Sequence, residues 1–177
     1  MNTYIALFRG INIGGHHLLP MKGLVELLHD LGCENIKTYG QSGNVVFQTT
    51  KKQRNNFSRD IGHKISATYG FKPVVLLLDE AELQDAMANN PFDTSDAKAL
   101  HFFFLGSTPK SPDLERLNDI KLKSEQFKLN GTIFYLFTPE GVGRSKLAVN
   151  IEKCLGVPTT ARNWNTVNRI LAMVKQT

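Results

Sequence analysis

Short apolar runs alternate with amphipathic stretches through the first half of the chain, and this alternation predicts strands and helices. The run Tyr4–Phe8 is rich in β-branched and aromatic residues and predicts a strand. After Pro20, four leucines share one helical face before Gly32, which predicts a helix with a glycine at its C-terminal end. Ile36–Tyr39 and Val45–Thr49 then flank a glycine-bearing turn and predict a β-hairpin.

The next two elements complete the order β-α-β-β-α-β. Lys52–Tyr69 carries apolar residues at intervals of four among charged ones, which predicts an amphipathic helix ended by Gly70. Lys72–Leu78 predicts a buried strand, and the resulting order is the ferredoxin-like arrangement. Asp79 and Glu82 have the spacing of a capping box and predict a short connecting helix.

The second half repeats this pattern as β-α-β-β-α. Ala99–Leu105 predicts a strand, Asp113–Ile120 a short helix, and Phe127–Leu129 with Thr132–Phe137 a second hairpin. Ser145 is placed to cap a further helix, and a last helix follows at 164–175. The predicted fold class is therefore α+β, with two tandem ferredoxin-like subdomains (βαββαβ and βαββα) plus a C-terminal helix: residues 1–78 for the first subdomain, 79–98 for a connector helix and loop, and 99–177 for the second subdomain with the C-terminal helix.

Composition places the chain among ordinary globular proteins. At 177 residues with 41% hydrophobic residues, folding is expected to bury about 70% of the chain's surface without a disulfide or metal. The N-terminal residues lack the pattern of a signal peptide, and apolar runs such as Val74–Leu78 are too short to cross a bilayer. We therefore expect a cytoplasmic protein without a membrane partner, in which Cys33 and Cys154 are reduced.

The positive charge is concentrated towards the C-terminus. The whole chain carries +5, and residues 121–177 hold 9 Lys and Arg against 3 Asp and Glu. A basic surface attracts polyanions, although excess charge also serves solubility. The charge therefore suggests phosphate-bearing partners only weakly.

Two polar, glycine-bearing loops are predicted to converge. In a ferredoxin-like unit, the end of the first strand and the hairpin between strands two and three lie at the same edge of the sheet. This placement brings Arg9–Gly15 close to Gln41–Asn44. Their exposed N–H groups, amide side chains and guanidinium suit the recognition of an anion or nucleotide. Alternatively, the glycines serve turn geometry and the asparagines cap local backbone groups.

Two polar segments in the second half are further candidates. Arg144 and Lys146 flank a predicted helix start at Ser145, where free N–H groups can hold an anion, although an ordinary serine cap explains the serine equally well. The run Thr159–Thr166 opens the final helix in this interpretation and contains Arg162, Asn163, Trp164 and Asn165. Trp164 is expected to lie in the core, whereas Arg162 and Asn165 face a ligand or brace the loops of the first half.

Other motifs do not indicate a cofactor or metal. The glycines of the first loop do not have the spacing of the dinucleotide fingerprint, and the segment before Ser145 lacks the first glycine and the lysine of a P-loop. His16 and His17 are adjacent and lack metal-ligand spacing. No nucleophile elbow is present. We therefore expect no cofactor and no metal.

Three segments carry a resemblance to a known family: Ala6–Gly15, Gln41–Phe47 and Thr160–Thr166. They resemble the signature stretches of the bacterial domain of unknown function 1697 family. The resemblance implies a two-subdomain α+β fold with ferredoxin-like halves, and it implies no activity. The motif residues become candidates for one shared site, namely Arg9, Gly10, Asn12, Gly14, Gly15, Gln41, Ser42, Gly43, Asn44, Arg162, Asn163, Trp164 and Asn165, and the step Arg144-Ser145-Lys146 also resembles the family.

Three functional hypotheses remain open from the sequence. The first is binding of a phosphate-bearing ligand, either a nucleotide or a nucleic acid, by the loops containing Arg9 and Asn44 together with Arg162 and the basic C-terminal third. The second is a cofactor-independent enzyme acting on a small anionic metabolite, in which Arg9 or Arg162 orients the substrate. The third is a structural role, in which the motifs hold the two halves together.

Overall fold

The computed structural model describes residues 1–177 as a mixed α+β fold with two four-stranded antiparallel sheets and six helices. None of these helices combines the length and the apolar character needed to span a membrane. The elements in chain order are β1 Asn2–Arg9, α1 Met21–Asp30, β2 Glu34–Tyr39, β3 Asn44–Thr49, α2 Arg54–Tyr69, β4 Val74–Leu78, α3 Glu80–Ala88, β5 Leu100–Leu105, α4 Leu114–Ile120, β6 Gln126–Asn130, β7 Ile133–Phe137, α5 Lys146–Leu155, β8 Thr159–Asn163 and α6 Trp164–Val174.

The chain divides into two compact units. Unit 1 contains residues 1–85 and 169–177, and unit 2 contains residues 86–168. The division differs from the boundaries drawn from element order in two places: the predicted connector 79–98 is divided between the units, and the last nine residues group with unit 1. Because those residues include Arg169 and Lys175, unit 1 holds 11 Lys and Arg against 8 Asp and Glu, a net charge of +3. The basic surplus of the C-terminal third is therefore shared between the units.

The sheet of unit 1 has the strand order β2-β3-β1-β4, with every neighbouring pair antiparallel. Opposing residues such as Tyr4 and Phe47 share a face, and this face packs against α1 and α2. The hydrophobic core there includes Tyr4, Ala6, Phe8, Leu24, Leu28, Val45, Phe47, Phe57, Ile61, Ile65 and Val75.

Local sequence signals account for the ends of the helices in unit 1. Gly70 ends α2 in the left-handed conformation, with φ 78°, and its N–H donates to Ser66 O. The predicted capping box begins α3: the Asp79 N–H donates to Glu82 Oε2 at 2.8 Å, and the Glu82 N–H donates to Asp79 Oδ1 at 2.9 Å.

The sheet of unit 2 has the corresponding order β6-β7-β5-β8, again antiparallel throughout. One face packs against α4 and α5, with a core of Phe103, Leu105, Leu117, Phe134, Leu136, Leu147, Ile151, Cys154 and Leu155. As predicted, Ser145 begins α5, since its Oγ accepts the Ala148 N–H at 3.0 Å.

The strand β8 corrects the sequence prediction that the polar run 159–166 opens the final helix. Residues Thr159–Asn163 pair with β5, and only Trp164 onward is helical. Gly156 ends α5 with φ 70°, and the β-branched pair Thr159 and Thr160 favours an extended backbone. Unit 2 therefore contains β-α-β-β-α-β rather than the predicted β-α-β-β-α.

Candidate functional site

The loop after β1 folds into a small hairpin. The His16 N–H donates to Ile13 O at 2.9 Å, and the Asn12 N–H donates to His17 O at 3.0 Å. Gly14 and Gly15 form the tip with φ 56° and 77°, values that favour glycine. Nothing lies within 4 Å of the position that a Cβ would take at either glycine. The tip is therefore exposed and is open on the side where a side chain would stand.

Asn12 holds the base of this hairpin. Its own φ is 54°, in the left-handed region that asparagine tolerates better than most residues. Its Oδ1 accepts the Leu19 N–H at 2.8 Å, and its Nδ2 donates to Leu19 O at 3.0 Å and to Gln41 O at 2.9 Å. These three hydrogen bonds fix the hairpin both to itself and to the turn between β2 and β3.

His17 supports the hairpin from the other side. It also has a positive φ, 51°, and its Nδ1 lies 2.9 Å from Gly10 O, so this nitrogen carries the proton and donates. The imidazole stacks on the Phe71 ring at 4.6 Å between centroids. No group of three His, Cys, Asp or Glu side chains is placed to hold a metal ion. Both contacts of His17 are structural ones.

The turn Gly40–Gly43 lies against the base of the hairpin, which is the convergence predicted from strand order. The Phe8 N–H donates to Gly43 O at 2.9 Å. A Cβ at Gly43 would stand only 2.4 Å from Phe8 Cβ, so the two backbones approach as closely as glycine permits. Asn44 is 1% exposed, and its Nδ2 donates to Tyr39 O at 3.0 Å and to Ser42 Oγ at 3.1 Å.

We call residues 9–19 together with 40–44 the loop cluster. Its predicted site residues fall into two groups. Asn12 forms hydrogen bonds to backbone groups within the cluster and Asn44 to the backbone of Tyr39 beside it, which supports the structural interpretation for these two residues. The exposed members are Arg9, Gly14, Gly15, Gln41 and Ser42.

A tyrosine and an arginine border the loop cluster and were not among the predicted site residues. Tyr39 on β2 pairs with Asn44 on β3, and Asn44 pairs with Leu7 on β1, so these three residues lie on one face of the sheet. Arg9 follows Leu7 by two residues along β1 and therefore lies on the same face. The guanidinium carbon of Arg169 lies 5.8 Å from the centroid of the Tyr39 ring. The pair joins positions 130 residues apart, so no local sequence pattern indicates it.

The last residues of the chain run along this same face of unit 1. Lys37 Nζ donates to Gln176 O, and Gln48 Nε2 lies 3.4 Å from Thr177 O. Lys37 and Tyr39 alternate with residues that face α1 and α2, which puts both on the opposite face. The C-terminal segment therefore brings Arg169 to Tyr39.

In unit 2, Arg144 and Lys146 lie on either side of the helix start at Ser145, and both are exposed. Arg144 ends a 3₁₀ turn, Val142–Arg144, and the hydroxyl of Ser145 already accepts one of the first N–H groups of α5. The serine acts as an ordinary N-cap, as the structural interpretation of this motif expects.

The remaining predicted residues lie on β8 and the first turn of α6. Arg162 is 9% exposed, and burial lowers the pKa of its guanidinium to about 10. Its Nη1 donates to Ala161 O at 2.8 Å. Asn163 caps α6, because its Oδ1 accepts the Thr166 N–H at 2.9 Å. Trp164 is half-buried and packs on Phe102 at 5.6 Å between ring centroids, and Asn165 is exposed.

Two surface clefts, of about 370 and 250 Å³, border the first turn of α2 and share Gln53 and Asn56 in their linings. None of the predicted site residues lines either cleft.

The loop cluster offers hydrogen-bond donors and a positive charge at an exposed surface. Donors of this kind and a guanidinium can form hydrogen bonds to an anion.

Comparisons with known proteins agree with the resemblance noted in the sequence. The family model described as Protein of unknown function (DUF1697) matches residues 1–135. The solved structure of the conserved bacterial protein SP0830 from Streptococcus pneumoniae is similar, with a TM-score of 0.73 and 25% sequence identity over 99% of this chain and 99% of that chain. No curated protein matched the chain.

Proposed function

The chain belongs to the DUF1697 family of proteins of unknown function, and from this premise we propose that it binds a phosphate-bearing ligand, a nucleotide or nucleic acid, at the loop cluster of unit 1. The observation that carries the proposal is the exposed hairpin, held by hydrogen bonds, with Arg9 at its base. Two residues other than glycine, Asn12 and His17, hold left-handed conformations that cost about 1 kcal/mol or more each. Such strain persists where surrounding contacts maintain it, and it clusters at binding sites.

The exposed donors are of the right kind for phosphate. Arg9 offers five N–H donors in a planar fork that matches two phosphate oxygens, so contacts within the protein and with a ligand can coexist. The tip glycines leave room for a ligand to approach their N–H groups. Gln41 and Ser42 add neutral donors at the neighbouring turn.

Asn12, Asn44 and Asn163 have a different role in this proposal. Their side chains hold backbone groups, so they shape the surfaces that carry the exposed residues. Within unit 2, Arg144, Lys146, Arg162, Trp164 and Asn165 remain candidates for ligand contact, with Arg144 and Lys146 the more accessible.

The proposal includes two further assignments, the fold type of each unit and the cellular compartment. Each unit is assigned as a ferredoxin-like subdomain. The support is the strand order: when the four strands of a unit are numbered 1–4 in chain order, they lie across the sheet in the order 2-3-1-4. The protein functions in the cytoplasm, and its two buried free thiols, Cys33 and Cys154, are compatible with a reducing compartment.

The test is a binding titration of the full chain against pyrophosphate, nucleoside diphosphates, single-stranded RNA and duplex DNA at low and high salt. We expect binding that weakens with salt, because phosphate contacts are electrostatic. Arg9→Gln should weaken it about tenfold or more, since hydrogen bonds to charged groups contribute about 1.5–3 kcal/mol. Arg116→Gln, an exposed arginine on α4, is the matched control and should leave binding unchanged.

Urea unfolding of the same variants separates binding from stability. An unchanged unfolding midpoint with weakened binding in Arg9→Gln supports the proposal. A sharply lowered midpoint would assign Arg9 to the structural role instead. If none of the four ligand classes binds to the wild-type chain, the proposal is wrong.

A further inference from the structure

We propose that Tyr39 and Arg169 form a nucleobase-stacking platform beside the loop cluster, and that the ligand is therefore a mononucleotide. This inference rests on the proposed function and specifies its ligand. Tyr39 is 39% exposed and is the only aromatic residue among the large exposed apolar side chains of the chain. The Arg169 guanidinium lies over its ring at 5.8 Å, within the range of a cation–π contact.

The platform lies on the same side of the sheet as the proposed phosphate contact. Tyr39, Asn44 and Leu7 stand opposite one another on three adjacent strands, and Arg9 follows Leu7 by two residues. With strands about 4.8 Å apart and about 3.4 Å per residue, the Cα atoms of Tyr39 and Arg9 are about 12 Å apart. Leu7 and Asn44, which lie between them on this face, are 0% and 1% exposed, so one nucleotide would contact Tyr39 and Arg9 where these two side chains reach the surface.

The turn between β2 and β3, which follows Tyr39, is held in place by the same hydrogen bonds that build the loop cluster. Asn44 Nδ2 donates to the backbone oxygen of Tyr39 at 3.0 Å, and Asn12 Nδ2 donates to that of Gln41 at 2.9 Å. The backbones that carry the platform and the phosphate donors are therefore connected by direct hydrogen bonds. A site assembled before ligand arrival loses less freedom on binding.

An exposed tyrosine paired with an arginine contributes little to stability, since a cation–π contact at an exposed site contributes only about 0.5–1 kcal/mol. Its chemistry suits a base much better. Aromatic rings and guanidinium planes are the groups on which proteins stack unpaired bases, and stacking accepts any base because each has a π-face.

A mononucleotide fits these observations better than a nucleic acid. Proteins that bind single strands place several aromatic residues along a basic groove so that successive bases stack. Here one exposed aromatic residue is available, and unit 1 has a net charge of only +3. These features provide for one base and a few phosphate contacts.

The test compares pyrophosphate with ADP, GDP, CDP and UDP by calorimetric titration of the full chain. At least one nucleoside diphosphate should bind about tenfold tighter than pyrophosphate, the difference expected from one stacked base. Tyr39→Leu should abolish that difference while leaving pyrophosphate affinity unchanged, and Tyr39→Phe should retain it. Arg169→Gln should reduce nucleotide affinity severalfold, whereas Lys175→Gln, an exposed cation of the same segment, should not.

The outcomes separate this inference from the proposed function. Equal affinity for pyrophosphate and all four nucleotides overturns the stacking platform and leaves phosphate binding intact. Nucleotide preference that survives in Tyr39→Leu also overturns it. If a ten-residue single-stranded RNA binds more tightly than every mononucleotide, the ligand is a nucleic acid and the mononucleotide assignment is wrong. Failure of pyrophosphate and of every nucleotide to bind, while RNA or DNA binds, overturns this inference alone. Failure of all four ligand classes overturns this inference and the proposed function together.

Discussion

The side-chain amide of Asn12 donates to the backbone oxygen of Gln41 at 2.9 Å, and this hydrogen bond connects the hairpin after β1 to the turn between β2 and β3. The same side chain also closes the hairpin on itself through both the N–H and the O of Leu19. One asparagine therefore determines the shape of the surface that carries the exposed residues of the proposed site. Its contribution should be visible in stability as well as in binding.

Asn12→Ala should lower the free energy of unfolding by about 3–4 kcal/mol. Three hydrogen bonds contribute about 1 kcal/mol each, and alanine in the left-handed region costs about 1 kcal/mol more. Asn35→Ala is the matched control, because Asn35 also has a positive φ, 50°, but makes a single side-chain contact, to Gln48. Urea unfolding measures both variants, and an equal loss in the two would contradict the structural role of Asn12.

Gly43→Ala should destabilise the protein far more than Gly70→Ala. The two glycines have nearly the same φ, +80° and +78°, but a Cβ would meet Phe8 at 2.4 Å at Gly43 and nothing within 4 Å at Gly70. The left-handed conformation alone costs about 1–2 kcal/mol, and overpacking adds about 1–3 kcal/mol. The difference between the unfolding midpoints of the two variants measures the effect of the close approach of Gly43 to Phe8. Similar midpoints would argue against that close approach.

Strand order allowed the loop cluster to be predicted. Once β1, β2 and β3 were assigned, antiparallel pairing required the end of β1 to lie beside the β2–β3 turn. The structure shows this through the hydrogen bond from Phe8 to Gly43. The conformation within each loop could not be predicted in the same way. The left-handed backbone of Asn12 is maintained by Leu19 and Gln41, and such contacts form only in the folded chain.

Two features were missed for different reasons. The strand β8 had local signals, since Gly156 ends the preceding helix and two threonines follow Pro158, but the polar residues after them resemble a helix start. The pair of Tyr39 and Arg169 had no local signal, because it depends on the C-terminal segment returning to unit 1. Contacts at such separation are determined by packing rather than by periodicity.

Thr160→Val should stabilise the protein by about 1 kcal/mol. Thr160 is 2% exposed, and its hydroxyl has no hydrogen-bond partner, so the nearly isosteric valine removes an unpaired buried polar group. The neighbouring Thr159→Val is the matched control and should destabilise, because the Thr159 hydroxyl lies 3.4 Å from Glu152 Oε2. Opposite signs for the two variants are the expected result in thermal or urea unfolding. A loss of stability in Thr160→Val would show that its hydroxyl has a favourable contact.

His101→Leu should remove part of the acid sensitivity of the fold. His101 is 9% exposed on β5, and burial lowers the pKa of its imidazole below the ordinary value of 6.5, an effect partly offset by the Ala99 backbone. Below pH 6.5 the unfolded chain therefore binds a proton that the folded chain resists. The free energy of unfolding therefore decreases as the pH is lowered, by at most about 1.4 kcal/mol per pH unit.

At pH 7.5 and above His101 is almost entirely neutral in both states, so its titration contributes little there. The buried Nδ1 atom has no hydrogen-bond partner and destabilises the folded chain at every pH. At pH 7.5 we therefore expect His101→Leu to be as stable as the wild type or more stable, by up to about 1 kcal/mol. Between pH 6.5 and 5, the variant should lose less stability than the wild type. His29→Leu, at an exposed histidine of α1, is the surface control for the same change of residue. Parallel urea-unfolding profiles for His101→Leu and the wild type across this range would show that burial of His101 does not cause the acid sensitivity.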